Sequence, residues 1–162
     1  MAVEVKILSR IISVKNSLFH PEDVYKTTKE KIEALGYTFF EKKHKSKKTQ
    51  YGTWVYVEFY GIKNRDDFSA SRLEVTFTFS DLKPGTYEGK NISQGNCSVV
   101  VSCHVIFDKE NKYKADPFKN WLFGVYSKTI GRSLLKKKYI VPTVVEYLEL
   151  YAYIKEKLYL YA

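Results

Sequence analysis

The chain has 162 residues, 44% of them hydrophobic, and a formal net charge of +9. This length supports one domain, residues 1–162, and leaves too little core for a second one. No apolar run approaches the roughly 18 to 20 residues that span a bilayer, and the alternating start at residues 1–6 is unlike a signal peptide. We therefore expect a cytoplasmic protein without a membrane span, whose basic charge favours acidic partners.

The first part of the chain predicts a strand followed by a helix. Residues 3–14 alternate imperfectly between apolar and polar types, which indicates a strand with a bulge or with two buried faces. A proline at the first helical position, acids in the first turn and Gly36 at the end predict a helix over residues 21–35. Its apolar stripe consists of Val24, Thr28, Ile32 and Leu35.

The middle of the chain has the two-residue periodicity of β-strands. We predict strands at 37–42, 51–61, 70–80 and 96–108, with turns at Pro84–Gly85 and Gly89–Gly95 and room for a short strand around Thr86 to Lys90. In the last two strands alternate residues are apolar, so that one sheet face should be buried while the other meets water. The residues expected on the buried face are Leu73, Val75, Phe77, Phe79, Val99, Val101, Val105 and Phe107.

The carboxy-terminal part predicts helix. Asp116–Pro117 is typical of a helix start, and apolar residues then recur at helical spacing as far as Leu134. Pro142 must end or kink this helix, so residues 142–161 form a bent continuation or a separate helix. We expect its apolar stripe at Val144, Leu148, Tyr151 and Leu158. The fold class is therefore α+β, with an antiparallel sheet curved over a long, proline-interrupted terminal helix.

This order of elements resembles the helix-grip fold of START and Bet v 1 type proteins. In that fold a curved antiparallel sheet wraps a terminal helix and leaves a cavity, so the resemblance implies a carrier of a small apolar ligand. The chain departs from the pattern because a single helix stands where two short ones are usual, and because Pro142 interrupts the terminal helix.

A second resemblance is to uncharacterised small archaeal proteins. It implies an archaeal, cytoplasmic origin, and those proteins have no known activity to transfer. The segments that carry the resemblance are Arg65–Phe68, Cys97–Asp108, Asp116–Phe118 and Tyr147–Tyr161.

The densest chemical signal is a run of lysines, which we place in a hairpin loop between the strands at 37–42 and 51–61. Lysines at such a tip can hold a phosphate backbone without sequence selectivity. The alternative is a solvated hairpin end that protects the sheet edge from pairing. The lysines are Lys42, Lys43, Lys45, Lys47 and Lys48.

Aromatic residues follow this run on one parity of the next strand. Trp54, Tyr56 and Tyr60 alternate with three apolar residues, Val55, Val57 and Phe59. If the apolar residues face the core, the aromatic rings face outward beside the lysines, an arrangement with which single-stranded RNA is bound. If the sheet is buried on both faces, or encloses a helix-grip cavity, the same rings are packing.

A second basic cluster comprises Arg132, Lys136, Lys137 and Lys138. It is either another phosphate contact or a set of cations favoured by the dipole at the end of the preceding helix.

The sequence contains no complete catalytic or metal-binding pattern. The three histidines, His20, His44 and His104, are far apart, whereas a structural zinc site normally needs four close ligands. We interpret Asp66–Asp67 and the pair Glu146 and Glu149 as solvated charge. We therefore predict no cofactor, no metal and no enzymatic activity. The leading hypothesis is a basic module that binds RNA or a ribonucleoprotein surface; the alternatives are a small-ligand carrier and a protein–protein adaptor, with the oligomeric state left open.

Overall fold

The computed structural model describes residues 3–87, 89–107 and 136–159, together with Pro117 and Trp121. Its strands form one five-stranded antiparallel sheet in the order β1-β5-β4-β3-β2. This confirms an α+β protein with an antiparallel sheet and a carboxy-terminal helix. The elements are β1 Val3–Phe19, α1 Pro21–Ala34, β2 Thr38–Thr49, β3 Gly52–Asn64, β4 Ser69–Tyr87, β5 Lys90–Phe107, a π-helical turn Lys136–Ile140 and α2 Val141–Leu158.

One face of the sheet forms the core, and α1 and α2 pack on it. All eight residues predicted for this face on β4 and β5 are buried, at 0–7% exposure. The two strands are neighbours in the sheet, paired from Ser69↔Phe107 to Tyr87↔Lys90. Ile32 of α1 and Leu150 of α2 belong to the same buried cluster. The predicted burial of this face is therefore confirmed. Strict alternation places all the apolar side chains of a strand on one face, and that face is stable only when it is covered.

The predicted irregularity of the first strand is a pair of bulges. The register of β1 with β5 shifts between Lys6 and Leu8, and again between Val14 and Ser17. An extra residue turns the following side chains to the other face, which explains why apolar residues occur on both parities of the sequence.

The turns predicted between β4 and β5 lie almost entirely within strands. Pro84 pairs with Ser93 and Gly85 pairs with Ile92, so the prediction of turns there is wrong. The last pair between β3 and β4 is Thr53↔Leu82, so that beyond it β4 pairs with β5 alone. A strand with one unpaired side tolerates a proline, because a missing N–H on that side removes no hydrogen bond of the ladder. The turn itself lies at Gly89, whose φ of 80° favours glycine.

The terminal helix differs from its prediction in phase. Pro142 lies in the first turn of α2, directly after the π-helical turn, and proline is tolerated there because first-turn N–H groups have no intrahelical acceptor. The expected stripe is wrong at Val144 and at Leu148, which is 40% exposed. The buried positions are Thr143, Tyr147, Leu150, Ile154 and Leu158.

Two polar residues occupy this buried stripe because their hydroxyl groups have acceptors. Thr143 Oγ1 donates to the carbonyl of Tyr139 at 2.7 Å, and Tyr147 Oη donates to the carbonyl of Val101 at 2.9 Å. Burial raises the pKa of Tyr147 to about 12, so the phenol stays protonated as a donor.

The helix predicted from Asp116 to Leu134 lies outside the described residues, apart from Pro117 and Trp121. In the described ranges no helix combines the length and the apolar character needed to cross a membrane.

Candidate nucleic-acid interface

The lysine-rich segment is a strand and not the predicted hairpin loop. β2 continues through it to Thr49, and its pairing with β3 runs from Lys43↔Glu58 to Thr49↔Gly52. The hairpin turn is therefore at residues 50 and 51. The segment has few residues with strand propensity, so its extended conformation depends on the backbone hydrogen bonds to β3.

This strand forms one edge of the sheet, and its pairing register decides where the lysines project. Residues directly opposite each other in an antiparallel pair share a face. Lys43, Lys45 and Lys47 lie opposite Glu58, Tyr56 and Trp54, on the face opposite to the one on which α1 and α2 pack, which we call the open face. Lys48 projects from the other side of β2, because successive side chains alternate.

The aromatic residues of β3 lie on this open face, as their parity predicts. Val57 and Phe59 are buried at 4% and 0% exposure on the core face. The rings of the opposite parity, Trp54, Tyr56 and Tyr60, are half-buried. The Trp54 and Tyr56 rings stack with centroids 6.1 Å apart and an interplanar angle of 13°. The open face therefore presents flat aromatic surface beside the lysines of the edge strand.

A second aromatic pair extends the platform along the hairpin. Phe40, which is 44% exposed, stacks on Tyr60 at 5.2 Å between centroids. Sequence reasoning placed Tyr60 on this face but assigned Phe40 no role. The pairing of Phe40 with Tyr60 depends on the register shift between Glu41 and Lys43, because counting back from the turn alone would pair Phe40 with Gly61.

Lys42 is engaged by a carboxylate. It occupies the register shift between Glu41 and Lys43, and its Nζ lies 3.0 Å from Glu58 Oε1. The hydrogen bond from Lys42 lowers the pKa of Glu58 and raises that of Lys42, so the pair stays ionised. Of the five predicted lysines, Lys42 is thus neutralised by Glu58, while Lys43, Lys45 and Lys47 share the open face with the stacked rings.

Further across the open face, His104 lies between two carboxylates. Its Nδ1 is 3.2 Å from Glu4 Oε1 and its Nε2 is 3.0 Å from Glu74 Oε2, although the second contact lacks hydrogen-bond alignment. Arg72 donates to Glu74 at 2.6 Å, and its guanidinium lies 4.4 Å from the Tyr60 ring centroid. This part of the face carries both signs of charge, whereas lysines dominate near Trp54.

The second predicted basic cluster lies at the opposite end of the sheet. Lys136–Lys138 belong to the π-helical turn before α2, and Arg132 is outside the described residues. Lys138 Nζ is 3.3 Å from Asp66 Oδ2, beside the turn that follows β3. Trp54 and the last residue of that strand, Asn64, are ten residue steps apart, or about 33 Å, so the structure does not bring Lys136–Lys138 to the lysines and rings of the open face.

Asp66 is wrongly predicted as a solvated acid. It accepts the backbone N–H groups of Phe68 and Ser69, both at 2.9 Å, and the Tyr139 hydroxyl at 2.7 Å. Burial alone would raise the pKa of Asp66, but these hydrogen bonds and that of Lys138 lower it to about 2. The carboxylate fixes the turn between β3 and β4 and ties it to the π-helical turn.

Glu146 is also wrongly predicted as solvated. Its side chain is 15% exposed, accepts from Arg65 at 2.7 Å and lies 3.4 Å from Lys63 Nζ. The pair joins α2 to the end of the β3–β4 hairpin. Glu149 does match its prediction, since its side chain is 53% exposed. Its Oε1 atom lies 2.8 Å from Lys31 Nζ.

On the core face, beneath the first turn of α1, the structure contains an open cavity of about 680 Å³. Sequence reasoning missed it because its walls come from five elements. α2 contributes none of the described lining residues. These are His20, Pro21, Glu22, Tyr25, His44, Ser46, Thr53, Val55, Val57, Phe79, Leu82, Lys83, Pro84, Ile92 and Ser93.

Within the described residues, no group of three or more histidine, cysteine or acidic side chains is placed to hold a metal ion. The Ser102 hydroxyl, two residues before His104 on the same strand, shares a hydrogen bond of 3.1 Å with Ser9. Comparison of the chain with protein families, with curated proteins and with solved structures found no match. The site must therefore be interpreted from its own chemistry.

Proposed function

We propose that this chain is a non-enzymatic, cytoplasmic module that binds single-stranded RNA, free or on a ribonucleoprotein surface, through the open face of the β2–β3 hairpin. The observation that carries the proposal is the pairing register, which sets Lys45 beside Tyr56 and Lys47 beside Trp54. Each ring that can stack a base thus has a cation that can hold a phosphate next to it.

The lysines would supply most of the affinity. Lys43, Lys45 and Lys47 are exposed and follow one another at every second residue of an edge strand. A phosphate backbone laid along this edge would release condensed counterions at each lysine, which favours binding without selecting a sequence. Lys42 contributes less to this mechanism, because Glu58 already neutralises it.

The aromatic rings would supply the preference for single strands. A base can stack on Trp54 or Tyr56 only if it is not already stacked and paired in a duplex. The half-buried rings are held in parallel orientation by each other and by the sheet, so little side-chain entropy is lost when a base binds. The expected ligand is therefore an unpaired RNA segment of mixed sequence.

Binding of a short labelled oligoribonucleotide, followed by fluorescence anisotropy over a salt series, tests the proposal. Replacing Lys42, Lys43, Lys45, Lys47 and Lys48 with glutamine should weaken binding alike for all sequences and flatten the salt dependence, by about 0.7 in slope for each phosphate that the variant no longer neutralises. If the parent protein does not bind RNA near physiological salt, or the variant keeps the parent's affinity and slope, the proposal is wrong.

The helix-grip carrier is the first alternative. A carrier of that class would hold an apolar ligand between the sheet and its carboxy-terminal helix, whereas the described lining of the cavity comes from the start of α1 and from the strands, with no residue of α2. We therefore rank RNA binding above it.

The protein–protein adaptor is the second alternative, and one observation favours it. Val141, Val145 and Leu148 are 44%, 58% and 40% exposed, and their spacing places them on one side of α2. An exposed apolar stripe of this kind suits a protein partner. Charged substitutions at Val145 and Leu148 should abolish such an interaction and leave RNA binding unchanged.

A further inference from the structure

We infer that the cavity beneath the first turn of α1 binds a small amphipathic molecule, with an aliphatic body and a hydrogen-bond-accepting head group such as a carboxylate. This site is separate from the open face of the β2–β3 hairpin, which we propose to bind RNA. The lining residues of these two strands lie on the opposite, core face; they include His44, Ser46, Val55 and Val57.

The shape and walls of the cavity suit an apolar body. Its volume of about 680 Å³ lies within the range of small-molecule sites, roughly 300–1,000 Å³. Val55, Val57, Phe79, Leu82 and Ile92 supply apolar surface. Val57 and Phe79 are almost fully buried, at 4% and 2% exposure, so the strands fix the walls before any ligand enters. Apolar surface held in a concave shape favours aliphatic groups over water.

The polar lining favours an acceptor head group. His20 Nδ1 accepts the backbone N–H of Asp23 at 3.1 Å, so the proton of the neutral ring is on Nε2, which is a donor. Lys83 adds a cation, and the hydroxyl groups of Ser46, Thr53 and Ser93 can also donate. Glu22 is the one carboxylate of the described lining, and it is the group that would instead favour an amine.

Calorimetric titration with decanoate and decylamine below their micelle concentrations, and with decanol below its solubility limit, tests the inference. We expect decanoate to bind more tightly than decanol, and decylamine to bind least. Octanoate should bind more weakly than decanoate, by up to about fourfold for each buried methylene removed. If none of the three decyl probes binds, the cavity is not a ligand site, and if decylamine binds as tightly as decanoate, the assigned head-group chemistry is wrong.

Two cavity-filling variants locate the binding. Val55→Trp and Ser46→Trp each add a large ring at the wall, and Ser46 lies on the exposed edge strand, where the ring can be accommodated without disturbing the core. Each should weaken decanoate binding at least tenfold. Ile11→Trp, at a residue 66% exposed on the open face, is the matched control and should bind as the parent does. Equal binding by the parent and by a folded cavity variant would overturn the inference, whatever the result with RNA.

Discussion

The Nζ atom of Lys47 lies 5.6 Å from the centre of the Trp54 ring, and the two residues are paired directly across the β2–β3 hairpin. A cation over an aromatic face is attracted by the electrons of the ring. A nucleobase binds to the same kind of surface by stacking. A bound base would therefore move Lys47 off the ring and toward the adjoining phosphate, which couples the two parts of the proposed interface.

Removal of the stacked rings should weaken RNA binding. We expect Trp54→Ala or Tyr56→Ala to cost about 1–3 kcal/mol of binding free energy, because each ring stacks one base. Fluorescence anisotropy with a labelled oligoribonucleotide measures the loss. Tyr51→Ala is the control, since Tyr51 is 63% exposed in the hairpin turn, outside the stacked pair. Stacking would be excluded as the mechanism if all three variants bound RNA equally well.

Asp66 should make stability depend on pH in the acid range. Its pKa is about 2 in the folded protein against an ordinary value of 3.8, so its contribution is fully present above about pH 4 and is lost as the pH falls toward 2. The side chain is 30% exposed, so solvent screening limits the contribution to about 1–2 kcal/mol.

Urea unfolding of Asp66→Asn measures this contribution. The variant should be less stable than the parent by about 1–2 kcal/mol at pH 7, and the difference should disappear near pH 2. Asp67→Asn changes the exposed neighbouring acid and should leave stability nearly unchanged at both pH values. A pH-independent deficit in Asp66→Asn would show that the hydrogen-bonded charge is not its cause.

The contact between Glu146 and Arg65 should be important for docking α2. Glu146→Gln removes the charge that compensates a guanidinium only 14% exposed, and we expect a loss of about 2–4 kcal/mol in the free energy of unfolding. Glu149→Gln, three residues away on the same helix, removes a carboxylate that is 53% exposed and should cost at most about 0.5 kcal/mol. Similar losses in both variants would contradict this account of the helix contact.

The parts of the fold that could be predicted are those with local signals. The alternation from Leu73 to Phe79 fixed the buried face of β4, and the proline and acids at the start of α1 with Gly36 at its end gave that helix to within one residue. Both patterns lie within short stretches of neighbouring residues. They can therefore be recognised without knowing which other elements these residues contact.

The failures concern contacts between residues distant in sequence. Lys43–Lys48 adopt a strand because β3 pairs with them, and Glu146 is half-buried in an ion pair because Arg65, 81 positions earlier, lies beside it. In the candidate site, the outward parity of Trp54 and Tyr56 was predictable from β3 alone. Predicting which lysine lies opposite each ring requires the pairing register of the hairpin. That register depends on the position of the turn, which the sequence prediction placed wrongly.

The salt dependence of RNA binding by two charge-matched variants tests the central claim most directly. One variant replaces Lys43, Lys45 and Lys47 with glutamine, and the other replaces three exposed lysines elsewhere, Lys15, Lys26 and Lys155. Both variants have the same net charge. We predict that the first variant lowers the slope of log K against log salt by about 2 and that the second leaves it nearly unchanged. Equal slopes for the two variants would contradict the assignment of the open face of the β2–β3 hairpin as the RNA-binding surface.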